Sequence, residues 1–229
     1  MRYQRRRRNG TGLVALCVFL LGESCTGSFA EASADSACDK DASLLGYKGS
    51  DAGRLIIAFG SNHGMDYAGY RLNYRAKSGC GKAFISHLHA NFNIFTALLP
   101  QKQPDIDDAA EEAEVWVVPL APGEYEFYDF EIWSDNGIVR NRFSPREEFS
   151  VPFTIKTGTS TYLGDFRAMA LNGRNIVGFP VEGGAYFMIS DQSDRDLKIA
   201  KAHDPAVTEV EKAVPDAKTL GSSYFRPMF

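Results

Sequence analysis

Three observations predict a mostly β chain, folded as a single antiparallel β-sandwich with short C-terminal helices. Apolar side chains recur at period two from residue 54 to residue 190, turns containing Gly or Pro separate these runs at short intervals, and helical spacing enters only after residue 190. The chain has 229 residues, 44% of them hydrophobic and 24% charged, enough for a sizeable core and unlike a disordered or collagen-like composition.

The first 34 residues read as a secretory signal peptide. Arg2 and Arg5 to Arg8 form a basic n-region, Leu13 to Leu21 is an uncharged apolar run, and Ala32-Ser33-Ala34 is an A-x-A cleavage site. About nine apolar residues are too few to span a bilayer as a helix. A competing reading ends the signal before Cys25, in Leu20-Leu21-Gly22-Glu23-Ser24-Cys25, a degraded lipobox that would make Cys25 a lipidation site and the chain a lipoprotein. In either case the expected location is the bacterial periplasm, outer membrane or cell surface. Membrane contact would come only through a lipid anchor at Cys25.

Cleavage after Ala34 takes five Arg and two Glu out of 25 basic and 29 acidic side chains, leaving 20 and 27 and a formal charge of −7. An acidic mature chain is a poor partner for nucleic acid, which is bound through neutralised phosphates. Two cysteines remain, Cys38 and Cys80. In an oxidising compartment they are expected to form a disulfide, closing a loop of about 42 residues at ~3–4 kcal/mol on the chain-entropy model. Residues 35–53 read as a flexible mature N-terminus that this bond would staple to the first hairpin.

The sandwich proper is placed at 54–190. Arg54–Phe59 is a continuous β-branched and aromatic run, and Tyr67–Arg75 alternates through Tyr70, Leu72 and Tyr74. Phe84–Phe95 sets Leu88 and the alternate apolar residues after it on one face against His87, His89, Asn91 and Asn93 on the other. Gln101–Glu114, with Pro104 and six acidic residues, reads as a solvated loop. Val115–Leu120 and Tyr125–Trp133 flank an Ala121-Pro122-Gly123 turn, Phe149–Ile155 pairs with Thr161–Ala170, and Asn175–Pro180 pairs with Ala185–Ser190. In the tail, 191–229, Ser193 caps one short helix ending by Asp204-Pro205 and Val207–Val214 forms a second. Tyr224, Phe225 and Phe229 are apolar enough to dock on the sheet.

Several of these residues form a recognisable pattern. Pro119-Leu120-Ala121-Pro122-Gly123-Glu124-Tyr125, then Pro152-Phe153-Thr154-Ile155 with Gly158, then Thr161-Tyr162-Leu163-Gly164-Asp165-Phe166, resembles a group of uncharacterised bacterial secreted proteins and lipoproteins. The resemblance covers about 90 residues, Val115 to Asp204, and implies a prealbumin-like or carboxypeptidase-regulatory-like sandwich, within an expected fold class that is prealbumin-like or immunoglobulin-like. It carries no catalytic residue.

Candidate chemistry is sparse. His63, His87 and His89, with Asp66 or water, have the ligand types of a Zn or Cu site, and two of them share a strand face ~7 Å apart; a polar, solvated sheet face accounts for the same residues. No Gly-x-Ser-x-Gly elbow and no phosphate loop occurs in the sequence. Tyr125, Phe127 and Trp133 share one parity of their strand, while Tyr128, Phe130 and Ile132 share the other. Such a strand is either covered twice or exposes one aromatic face, which makes Tyr125 and Trp133 the candidate binding residues. The expected function is a non-enzymatic binding or structural module of the cell envelope, with an envelope protein or polymer as partner and no cofactor; a metal-dependent enzyme built on the three histidines is the alternative.

Overall fold

The computed structural model describes residues 43–63, 67–88, 103–135, 140–174, 176–177 and 180–228. The chain divides into two units, Met1–Ser36 and Ala37–Phe229, and every described residue belongs to the second. The signal segment, Cys25, Cys38, Asp66 and His89 lie outside the described residues.

The elements in chain order are β1 (Gly53–Ser61), β2 (Gly69–Ala76), β3 (Lys82–Leu88), β4 (Ile106–Asp107), β5 (Glu112–Leu120), β6 (Gly123–Asp135), β7 (Arg140–Phe143), β8 (Val151–Ile155), β9 (Ser160–Arg174), β10 (Pro180–Ser190), α1 (Ser193–His203), β11 (Val210–Lys212) and β12 (Phe225–Pro227). The fold is mostly β. One sheet of seven strands runs β12-β10-β9-β1-β5-β4, with β11 added beside β9; a second of five runs β3-β2-β6-β7, with β8 added beside β6.

The continuous apolar run in β1 reflects its place. Leu55, Ile57 and Phe59 enter a core that also holds Leu72 and Tyr74 of β2 and Phe127 and Phe130 of β6, so the two sheets share one interior. Ile56 and Ala58 point the other way, into a smaller cluster with Val115, Tyr162, Ala200 and Val207 beneath α1. A strand covered on both faces has no polar parity to keep.

Several expectations are corrected here. The seven-stranded sheet is mixed, not antiparallel: β9 lies parallel to β1, β11 parallel to β9, and β12 parallel to β10. The segment expected as a second helix, Val207–Val214, contains β11 instead. Residues 160–162 of β9 pair with β1 on one side while β10 begins pairing only at Asp165, and β11 fills the other edge at Ser160–Tyr162. Unpaired backbone groups next to a packed helix are costly, and this demand overrides a weak helical spacing. Nor do β5 with β6, or β8 with β9, form hairpins; in each pair the chain passes from one sheet to the other. A Pro-Gly or Thr-Gly turn signals reversal without saying whether the returning strand stays in its sheet. Finally, the acidic stretch before β5 is not all solvated, since it forms β4 and buries Glu111 completely.

Strand β6 departs from its expected face pattern for a local reason. Its register against β2 shifts between Asn73 and Tyr74, because Asn73 faces Asp129 while Tyr74 faces Phe127, leaving Tyr128 as an extra, bulged residue. Tyr125, Phe127, Phe130 and Ile132 therefore all enter the core. The outer side carries charge pairs with β2, Arg71 with Glu131 (3.1 Å) and Arg75 with Glu126 (2.8 Å), and between them a hydrogen bond from Asn73 to Asp129 (3.0 Å). The tail closes the interior, with Phe225 ringed by Phe149, Phe166 and Phe187.

Candidate functional site

The segment Tyr162-Leu163-Gly164-Asp165-Phe166 of β9 is a bulge that resets side-chain parity. The register against β1 slips here, as Ile56 faces Tyr162 but Ala58 faces Asp165. Gly164 absorbs the extra residue at φ +104°, a region that favours glycine. Strict alternation would put Tyr162 and Asp165 on opposite faces. With the bulge, Leu163 and Phe166 both enter the core between the sheets, while Tyr162 and Asp165 both face α1.

Helix α1 ends in Lys201 and His203 and begins with Asp194 and Asp196, charges that suit its dipole. Gln192, not Ser193, occupies the N-cap position, and Asp191 accepts the Ser193 N–H at 3.0 Å. From its first turn Arg195 and Asp196 reach down to the sheet. There they meet three residues brought together by register: Asp165 and Arg167 of β9, and Glu111 just before β5.

The result is a closed charge network. Glu111, Asp165 and Asp196 are each fully buried. Glu111 is paired with both Arg195 and Arg167. Asp196 accepts from Arg195 Nε at 2.8 Å and from the Tyr162 hydroxyl at 2.6 Å, and that hydroxyl in turn accepts the Gln192 N–H at 3.1 Å. Asp165 is the least served, with Arg195 Nη2 at 3.3 Å and Arg167 Nη2 at 3.7 Å. Burial, then the charge of Glu111, push the Asp165 carboxyl up to about 7, against the pull of Arg195 and Arg167. Burial also raises Asp196, opposed by its bonds from Tyr162 and Arg195. For Arg195 burial acts downward, but the hydrogen bond to Asp196 and the charges of Asp196, Glu111 and Asp165 outweigh it and raise the group. Chemically the network holds an acid able to carry a proton near neutrality, locked between a helix and a sheet.

The sequence-predicted candidates fall elsewhere. His87 is on the inner face of β3, where Ala83 and Ile85 set the parity, and is 2% exposed. Its ring stacks on Tyr70 at 5.4 Å and its Nε2 lies 3.4 Å from Glu112 Oε1. This corrects the expected polar outer face, which instead shows Phe84 and Leu88. His63 is half exposed and bonds the Asp108 carbonyl, with Asp107 at 3.4 Å. No group of three His, Cys, Asp or Glu that could hold a metal occurs among the described residues.

Tyr125 is also corrected as a docking aromatic, being buried against Phe153 with its hydroxyl donating to the Ala121 carbonyl at 2.7 Å. Trp133 lies beyond the β6 bulge on the outer face. Its indole covers Gly69, where an added Cβ would come within 2.5 Å of the ring and 2.8 Å of Leu88. Leu88 is 63% exposed and Phe84 40%, with the Arg71 guanidinium over the Phe84 ring. Cys80 sits in the β2–β3 turn. Ser43 bridges to Lys82 in parallel and the Leu44 N–H donates to the Lys82 carbonyl at 3.3 Å, which lays the chain that follows Cys38 alongside the start of β3.

Comparison with known proteins adds little. No family model matches the chain. No curated protein matches it. Among solved structures, a leucine-rich repeat protein from Bacteroides thetaiotaomicron aligns at 12% identity and a TM-score of 0.29, covering 50% of this chain and 13% of that one. A likeness that slight carries no argument. No helix among the described residues is long and apolar enough to cross a membrane.

Proposed function

We propose that this chain is an exported cell-envelope protein, a single β-sandwich of the prealbumin-like kind that acts as a binding or structural module and not as an enzyme. The one observation that carries the binding role is the apolar patch on the outer face of the five-stranded sheet, where Trp133 and Leu88 pack over Gly69 and Phe84 lies further along β3, opposite Asn73, beside an otherwise polar-paired face. Flat aromatic and aliphatic surface of this sort is suited to burying a protein side chain or stacking an envelope polymer. The sandwich reading is supported by the interior common to both sheets. The non-enzymatic reading is supported by the buried acids, which are occupied in holding α1.

Export is supported by the basic and apolar segments before the A-x-A site. The Cys38–Cys80 disulfide belongs to the same proposal and is supported by the Ser43–Lys82 bridge. Intact mass of the protein from its native host, measured unreduced and reduced, should show a chain beginning after Ala34 that gains two hydrogens on reduction. A mass that retains the first 34 residues would overturn export, and one unchanged by reduction would overturn the bond.

The partner reading is tested by capture from envelope extract with the wild type and with a Phe84→Ser/Leu88→Ser/Trp133→Ser variant. These positions are at the surface, so the variant is expected to fold, checked by its melting curve, and to lose the captured protein or polymer. Equal capture by both would dispose of the patch as the binding surface.

A further inference from the structure

We propose that the charge cluster beneath α1 is a proton-operated clasp: one proton, resident on Asp165, balances the buried charges and holds the helix down, and its release as the pH rises toward neutrality loosens the helix.

The first support is a count of charge. Three fully buried carboxyl groups face two guanidinium groups, so with all acids ionised the cluster would carry an uncompensated negative charge out of water. An isolated buried charge is costly enough that a neighbouring acid takes up a proton instead. The second support is geometry, which singles out the acid. Glu111 is paired with both arginines, and Asp196 accepts two hydrogen bonds of 2.8 Å or less. Among the described residues Asp165 has only the 3.3 and 3.7 Å contacts, and its Oδ1 has no hydrogen-bond partner. It is the anion with least to lose by protonation.

The neighbours of Asp165 on every side enter the balance. Its own strand supplies Tyr162 and Arg167, α1 supplies Arg195 and Asp196, and the segment before β5 supplies Glu111 and, at its exposed rim, Asp108. β1 contributes Ala58 and Gly60, which bring no charge. At the β10 end Asp191 is paired with Lys212 of β11 at 3.3 Å. Raised to about 7 in the folded state, Asp165 keeps its proton where the unfolded chain has already released it near the ordinary carboxyl range. Its contribution to docking is therefore full only below the ordinary carboxyl range, falls steadily from there as the pH climbs toward about 7, and levels off above. Asp108, Asp191 and Asp204, whose carboxyls are held below the ordinary range, weaken the fold only under stronger acid, which leaves this window to Asp165 and to Asp196, raised by burial in the same direction but held by its bonds from Tyr162 and Arg195.

Hydrogen exchange of the α1 amides in the full chain, corrected for intrinsic rates, tests this between pH 5 and 7. Opening of α1 is expected to rise by up to about tenfold per pH unit in the wild type. Asp165→Asn, which keeps the shape of the neutral acid without titrating, should stay folded and lose most of that slope, while the 3.0 Å contact between His203 of α1 and Asp105 before β4 is unaltered in both proteins. Equal slopes, or an Asp165→Asn variant that undocks α1 as fully as Glu111→Gln does, would overturn the clasp. Infrared difference spectra of the wild type between pH 5 and 8 provide a readout independent of the variant's folding. The carbonyl band of a protonated buried carboxyl should be present and then disappear, and its absence at pH 5 would overturn the proposal equally.

Discussion

Arg195→Ala is expected to lower the stability of the folded chain by about 3–5 kcal/mol, the range for removing one partner from a buried ion pair. Arg195 touches all three buried carboxyl groups: Glu111, Asp165 at 3.3 Å and Asp196 at 2.8 Å. Without it Arg167 alone faces three acids. The loss should exceed anything predicted from the arginine's own surface, because the cost lies in the charges left behind. In thermal unfolding of a chain this size it corresponds to a fall of roughly 10 °C or more in Tm. Adding Asp165→Asn to Arg195→Ala removes one stranded charge, so the double variant should recover part of the loss. A double variant that is merely additive would show that the four residues do not act as one network.

The second large effect is expected at Gly164. Its φ of +104° strains any side chain, and an added Cβ would lie 2.8 Å from the Ser190 carbonyl oxygen and 3.0 Å from Val214 Cγ1. The backbone alone accounts for about 1–3 kcal/mol, and the Ser190 contact is with main chain that cannot swing aside. Gly164→Val should be worse than Gly164→Ala. Gly158 is the natural control, since its φ is +68° and no described residue lies within 4 Å of an added Cβ, so Gly158→Ala incurs only the conformational term. Equal melting shifts for the alanine variants at the two glycines would refute the close approach at Gly164. The bulge cannot simply be ironed out, either. Losing it would turn Asp165 into the apolar interior and Phe166 under the helix, stranding a carboxylate among apolar side chains and a ring among the charges beneath α1.

What could be read from the sequence, and what could not, divides along physical lines. The period-two runs, the apolar β1 and the helix at 193–203 were legible because each is a local pattern of side chains. The aromatic tail was legible too at Tyr224 and Phe225, since large rings are seldom left in water; Phe229 lies outside the described residues. The faces were not. Whether Tyr125 and Trp133 share a side depends on one extra residue at Tyr128, and nothing about Tyr128 alone marks it as the bulged one. Continuing the alternation past Leu88 points His87 outward, whereas inward Ala83 and Ile85 decide the matter. The charge network was out of reach for a different reason. Glu111, Asp165 and Arg195 are far apart in the chain and meet only through the parallel pairing of β1 with β9, which no local turn announces. One sign was present: Tyr162-Leu163-Gly164-Asp165-Phe166 breaks strand alternation with a glycine, the usual mark of a bulge that re-aims its neighbours.

Strand β1 also governs how fast the molecule can be assembled. Its residues Leu55 to Phe59 have no exposed face, yet their parallel partner begins at Ser160, and the Arg54 guanidinium finds its carboxylate only at Asp204, 2.6 Å away. Pairings this distant in the chain must be closed before they contribute anything, which places folding in the slow, millisecond-to-second class of non-local β proteins. Throughout that interval the apolar run from Leu55 to Phe59 waits with an open edge. It is the segment most exposed to pairing with another copy of itself, and so the place where holding factors or low concentration would matter most to the yield of folded protein.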